Sequence, residues 1–202
     1  MKQKQGKFIV IYGANNLGKT TQTNLLAKKL VEHNKEILRV KYPIYNLEPT
    51  GPKIHQILRK SDQLEKPMEE SDFQILYAQN RRDFQPVIKT LLEAKMTIIA
   101  EDYTGTGMAW GMTREVPLKY LEKINKNLIK PDLSILLDGE TRFREAIEKQ
   151  HRNEDIEESI WQKNRDMHRK LAKKYNWELV NANQSSEDVH ADIMEKVNPL
   201  LQ

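Results

Sequence analysis

The chain has 202 residues, enough for one α/β domain with a substantial core and too few for two comfortable ones. Its formal charge of +4 comes from 33 basic and 29 acidic residues interspersed without a basic block, which argues against a nucleic-acid surface and suits a polyanionic small ligand. There is no cysteine for a disulfide or thiolate metal site and no apolar run of membrane-spanning or signal-peptide type, so a cytoplasmic protein with no membrane partner is expected.

The first element is a short apolar run, Phe8 to Tyr12, of the kind a strand buried on both faces requires. It leads into Gly13-Ala-Asn-Asn-Leu-Gly18-Lys19-Thr20-Thr21, which has the spacing G-x-x-x-x-G-K-T. After Lys19, Leu26, Leu30 and Val31 recur at helical spacing. Glycines at this turn let the backbone wrap phosphate oxygens, and the N–H groups of the following helix point at the anion. Gly13, Asn16, Leu17, Gly18, Lys19, Thr20 and Thr21 are therefore assigned to a nucleoside triphosphate. Lys19 meets the β- and γ-phosphates, and the Thr20 hydroxyl is a ligand for Mg²⁺.

Further along, Glu36 to Tyr42 reads as a second strand, 47–52 as a loop, and Ile54, Ile57 and Leu58 as a short helix. A long helix is predicted from Pro67 to about Ala94, with Pro86 kinking it or starting a new one. Met96 to Ala100 is a third strand, and Glu101-Asp102 follows it. A helix is expected over Leu118 to Ile129 and a fourth strand over Asp132 to Leu137, with Asp138 as a cap or turn residue. Thr141 to about Tyr175 reads as two helices with a mobile join, Trp177 to Val180 as a fifth strand, and Ser186 to Val197 as a closing helix. Trp110, Trp161 and Trp177 read as core or interface residues. The alternation predicts a single α/β domain over 1–202: a phosphate-loop NTPase fold with a five-stranded parallel sheet and helices on both faces. Ligands in such sheets sit beyond the carboxyl ends of the strands, at Tyr42 to Tyr45 and Glu101 to Gly107. Tyr77 and Arg81, four apart on one helix face, join an aromatic ring to a guanidinium and suit a nucleobase.

With these residues in view the chain resembles the thymidylate kinase family over nearly its whole length. Tyr42-Pro43-Ile44-Tyr45 is similar to the family's F-P-x-[RY]; Ile75 to Arg81 resembles L-L-F-x-A-x-R; Glu101-Asp102-Tyr103 through Trp110 stands where the family has D-R-[YH]-x-x-S-x-x-A-[YF]; Lys130-Pro131-Asp132-Leu133 resembles K-P-D-L. The resemblance implies ATP-dependent phosphorylation of dTMP to dTDP, usually by a homodimer. It implies Tyr77 stacking on thymine, Arg81 bonding its edge, Thr106 and Gly107 near the base, Tyr103 beside the deoxyribose, Tyr45 on the acceptor phosphate, and Asn183 near adenine. It also implies a lid at about 140–158, with Arg152 of His151-Arg152-Asn153-Glu154 as the catalytic arginine, Arg144 at the ATP phosphates, and Arg142 and Lys149 in reserve.

Three positions depart from the family pattern. Asn15 replaces an Asp that meets the 3′-hydroxyl, and Glu101, the expected metal-site and catalytic carboxylate, replaces a shorter Asp. Asp102 replaces an Arg that grips the acceptor phosphate, so Lys41 or Arg114 is expected to supply the missing charge. The alternatives are a deoxynucleoside kinase and an inactive nucleotide-binding relative.

Overall fold

The computed structural model describes residues 6–59, 68–140 and 157–201. In chain order the elements are β1 (Phe8–Gly13), α1 (Lys19–Glu32), β2 (Ile37–Lys41), α2 (Thr50–Arg59), α3 (Glu70–Glu93), β3 (Thr97–Glu101), α4 (Thr104–Thr113), α5 (Leu118–Ile124), β4 (Leu133–Asp138), α6 (Glu158–Tyr175), β5 (Glu178–Asn181) and α7 (Ser186–Leu201). The strands form one parallel sheet in the order β2-β3-β1-β4-β5. Every residue of the central strand β1 is buried, as its unbroken apolar run requires.

The alternation of side chains along β1 divides the core. Ile9 and Ile11 pack with Leu26 and Leu30 of α1 and with Val189, Ile193 and Val197 of α7. Phe8, Val10 and Tyr12 face the other way, toward Ile88 of α3, Tyr103 and Ala172 of α6. Each such side chain contributes about 1.5–3 kcal/mol by leaving water, so the two layers fix the strand's register and its facing. The ends of β1 and β3 are thereby held side by side, with Ile11 opposite Glu101 and Lys41 opposite the same residue on β2.

Several boundaries differ from the sequence-based expectation. The four later strands each begin one residue further on than predicted. Helix α3 starts at Glu70 and runs unbroken through Pro86, so Pro86 starts no new helix. A proline removes a single helical hydrogen bond, and burial of Phe73, Ala78 and Ile88 on either side of it holds the helix as one element. Helix α2 begins inside the predicted loop, at Thr50, because Pro52 falls in its first turn, where its missing N–H is not needed. Helix α5 ends at Ile124 rather than Ile129: the Asn125 amide donates to the Leu121 carbonyl at 2.8 Å, and Asn127 turns to φ 70°. Of the predicted helix pair over 141–175, α6 is described; residues 141–156 lie outside the described residues.

Helix α4 was not expected. Its sequence, Thr-Gly-Thr-Gly-Met-Ala-Trp-Gly-Met-Thr, has three glycines and no polar stripe to mark a helix. It is helical because it is buried nearly all round, with Met108 and Ala109 packed against Leu121 of α5 and Leu171 of α6. Gly105 lies under the Tyr12–Trp177 stack, whose ring centroids are 4.2 Å apart. A methyl group there would collide with the Trp177 ring and come within 2.9 Å of Tyr12. Gly105→Ala is therefore expected to destabilise the fold by about 1–3 kcal/mol through overpacking, read as a lower urea midpoint by circular dichroism.

Candidate active site

The turn after β1 is shaped by its glycines. Gly13 has φ 156°, and a Cβ there would stand 2.9 Å from the Leu137 carbonyl; Gly18, at φ 83°, is the N-cap of α1. The first three carbonyls of the turn each receive a donor. Lys19 Nζ donates to the Gly13 and Ala14 carbonyls at 3.0 Å each, and the fully buried Trp161 of α6 donates its indole N–H to the Asn15 carbonyl at 2.8 Å. With carbonyls tied back in this way, the loop and the start of α1 offer N–H groups to an anion. Leu17 does not face the ligand space; its side chain is buried in the apolar core.

Beyond the carboxyl ends of β1, β2 and β3 lies a cavity of about 660 Å³. Its lining brings together Asn15, Asn16, Gly18, Lys19, Thr20 and Thr21 of the loop with Tyr45, Tyr77, Arg81, Glu101, Asp102, Tyr103, Thr106 and Gly107. Lys41 and Trp110 line it as well, together with Arg59 and Gln74, which the sequence reading did not single out. Asn80 is another residue it passed over. Fully buried, it accepts from Ile44 N at 2.8 Å and donates to Ile44 O at 3.0 Å, which fixes the segment carrying Tyr45. An asparagine inside a helical motif gives no sign of this, because both partners belong to a loop distant in sequence.

The carboxylates have separate tasks. Glu101 accepts from the Thr20 hydroxyl at 2.7 Å and pairs with Lys41 at 2.8 Å. Burial raises its pKa, but Lys41, Thr20 and Lys19 together bring it below the ordinary value. For Lys41 burial lowers the pKa, and Glu101 outweighs it to leave the ammonium above its ordinary value. The second carboxylate oxygen, Oε2, is buried without a hydrogen bond and lies 4.0 Å from Arg39. Asp102, at φ 62°, accepts from the Thr106 hydroxyl at 2.7 Å and lies 3.8 Å from Lys19. Burial lifts its pKa above the usual range against the pull of Lys19. Arg114, considered as a replacement cation, instead pairs with Glu70 at 3.6 Å and is not part of the lining.

At the other end of the cavity, Arg81 is 3 % exposed, with its guanidinium 5.9 Å from the Tyr77 ring centre. It donates to Asn125 Oδ1 at 3.0 Å, while its Nε is buried without a partner. Burial lowers its pKa, and the groups around it are the hydroxyls of Tyr103, Tyr12, Tyr42 and Tyr77. Gly107 leaves the room it needs, since a Cβ there would stand 2.6 Å from Arg81 Nη2.

Asn183 lies elsewhere, in a second depression with Asp138, Glu140 and Arg165, where its Oδ1 accepts from Glu140 N at 2.9 Å. Asp138 is not a cap: it accepts from Arg165 Nε at 2.7 Å and faces Arg169 at 3.5 Å, tying α6 to the end of β4. Arg142, Arg144, Lys149 and Arg152 fall in 141–156, outside the described residues. Among the described residues no cluster of three or more His, Cys, Asp or Glu side chains forms a metal site, and no helix is long and apolar enough to cross a membrane.

A family profile described as Thymidylate kinase matches residues 11–193. The chain is 28% identical to the thymidylate kinase of Plasmodium falciparum over 201 residues, covering 98% of this chain and 92% of the relative. It is also 28% identical to the human thymidylate kinase over 200 residues, with 96% and 90% covered. The fold is similar to that of a solved thymidylate kinase from Candida albicans, with a TM-score of 0.83 at 20% identity over 97% of this chain and 92% of the other.

Helix α6 carries a titratable group close behind the loop. His168 is buried, with Nδ1 against the Asn164 carbonyl at 3.0 Å and Nε2 without a partner. Burial pulls its pKa from 6.5 to about 3. In that interval the unfolded chain binds a proton that the folded chain does not, so stability rises with pH and is lost as the pH falls below 6.5. His168→Gln is expected to lose less stability than the unmodified chain between neutral pH and about pH 5, in urea titrations at each pH.

Proposed function

The chain belongs to the thymidylate kinase family, and from that premise we propose that it transfers the γ-phosphoryl group of ATP to dTMP, giving dTDP and ADP. The observation that carries this reading is one cavity with a phosphate loop at one end and a buried aromatic–guanidinium pair at the other. A buried guanidinium with an unmet donor is costly without a ligand, and a base edge would meet that donor.

An acceptor-phosphate oxygen attacks the γ-phosphorus in line, and the bond to the β–γ bridging oxygen breaks, leaving its electron pair on ADP. The attacking oxygen is already ionised near neutral pH, so positioning and charge stabilisation carry the reaction. Lys19, which lines the cavity, is assigned to the β- and γ-phosphates of ATP. The Thr20 hydroxyl and the Glu101 carboxylate, with its unpartnered Oε2, fit Mg²⁺, which when bound neutralises charge at those phosphates. A metal held largely by nucleotide oxygens needs only one or two from the protein.

Tyr45, Lys41 and Arg59 are assigned to the acceptor phosphate, since Asp102 repels it and Arg114 is engaged elsewhere. Tyr77 and Arg81 take the thymine, Thr106 and Gly107 flank it, Tyr103 stands by the deoxyribose, Asn15 by its 3′-hydroxyl, and Asn183 by adenine. Arg152, with Arg144, is the lid arginine of this reading. The assembly is proposed to be a cytoplasmic homodimer, which light scattering tests.

The direct test is a coupled ADP-release assay over nucleoside monophosphates and nucleosides; turnover of thymidine with none of dTMP would overturn the reading. Arg81→Ala should weaken dTMP by roughly 1.5–3 kcal/mol in kcat/KM and leave the KM for ATP unchanged. Asp102→Asn keeps a side chain that tolerates φ 62° and can bond Thr106, while removing the charge facing a dianion. It should lower the KM for dTMP, by about 1 kcal/mol, with little effect on the KM for ATP. Unchanged dTMP kinetics would show that the acceptor phosphate does not sense Asp102.

A further inference from the structure

We infer that Gln74 determines base specificity by accepting the N3–H of the thymine ring, an inference that rests on dTMP being the acceptor. Gln74 is 1 % exposed, on α3 one turn before Tyr77, and it lines the cavity. Its side-chain Nε2 donates to Glu70 Oε1 at 2.8 Å, while its Oε1 is buried with no hydrogen-bond partner. A buried carbonyl oxygen left without a donor is costly, and a helix-surface glutamine would avoid that cost by turning to solvent.

The orientation of this amide is determined by its neighbours. Glu70 is an acceptor only, so the end of the amide facing it must be the NH₂, and the oxygen is left facing the other way. Arg114 pairs with the other oxygen of that carboxylate at 3.6 Å. The freed oxygen converges with Arg81 on one spot. A Cβ added to Gly107 would stand 2.9 Å from Gln74 Oε1, 2.6 Å from Arg81 Nη2 and 3.2 Å from Arg81 Nη1. With no Cβ at Gly107, an acceptor without hydrogens and a donor without lone pairs both close in on the same glycine of the cavity lining.

That pair defines the chemistry of its ligand. It must present a hydrogen-bond donor next to an acceptor, as thymine and uracil do with N3–H and O4. Cytosine presents the reverse, a bare N3 and an amino group, so both contacts would oppose it. Arg81 alone excludes the amino group; Gln74 adds the requirement for the ring N–H. A site built around buried polar groups rejects ligands that leave them unpaired far more strongly than an apolar pocket rejects a change of shape.

The test compares dTMP with 5-methyl-dCMP, which has the same outline and the inverted edge, in the unmodified protein and in Gln74→Met. The unmodified protein should prefer dTMP by at least about a hundredfold in kcat/KM. Gln74→Met should narrow the preference about tenfold by lowering kcat/KM for dTMP, with the KM for ATP unchanged. A general packing defect would reduce both substrates alike. An unaltered ratio in the folded variant would overturn the inference. Independently of any variant, the imino proton of ¹⁵N-labelled dTMP bound to the unmodified protein should be protected from exchange and show a nuclear Overhauser effect to the Gln74 amide protons. Absence of both would also overturn it. Failure of the unmodified protein to phosphorylate dTMP at all would instead strike the proposed function.

Discussion

The parallel pairing of β3 with both β1 and β2 is the constraint from which the site follows. It sets Ile11 and Lys41 on either side of Glu101, so the phosphate-loop turn, the Glu101 carboxylate and the Lys41 ammonium meet at one level of the sheet. A slip of one residue would exchange the two core faces, at a cost of several buried side chains. The Thr20–Glu101–Lys41 chain of contacts therefore inherits its precision from apolar burial far from any ligand.

Helix α6 supplies a second constraint, at right angles to the first in purpose. It is fastened to the loop by Trp161 on the Asn15 carbonyl, to the end of α4 by Asn164 on Thr113 at 3.1 Å, and to the end of β4 by Arg165 on Asp138. Three different kinds of group, an indole, an amide and a guanidinium, each donate to an acceptor on another part of the fold. The buried indole contact is worth most to function, since it turns a carbonyl away from the side where an anion must sit.

Charge is unevenly matched across the cavity. At the glycine-loop end carboxylates and cations face one another, and Glu101 is kept ionised by its partners. At the Arg81 end a buried guanidinium has aromatic hydroxyls and amides around it. The first arrangement is suited to a metal and phosphates, which bring their own charges; the second is suited to a neutral polar ring that meets directed donors and acceptors.

Much of this was legible in the residues alone. The apolar run at Phe8, the glycine spacing and Lys19 mark the phosphate loop, because glycines in a strand–helix turn let the backbone close around an anion at the free N–H groups of the helix start. Periodicity in β1, α1 and α3 likewise marks elements whose burial is one-sided or complete. Helix α4 was not legible: it lacks a polar face, and only its neighbours α3, α5 and α6 make it helical. The cavity-lining positions of Gln74 and Arg59, and the loop-fixing roles of Asn80 and Trp161, were hidden for a related reason. Each depends on segments far away in the chain that close the cavity or supply the partner, and no local pattern records which buried atom a side chain will find. Asp138 shows the same limit, since its position at a strand end suggested a cap whereas the approach of α6 made it an ion-pair partner. Sequence thus determined where the chemistry-bearing loop and strands lie, through local propensity and periodic burial; tertiary packing alone decided which polar atoms meet, and which are left waiting for a ligand.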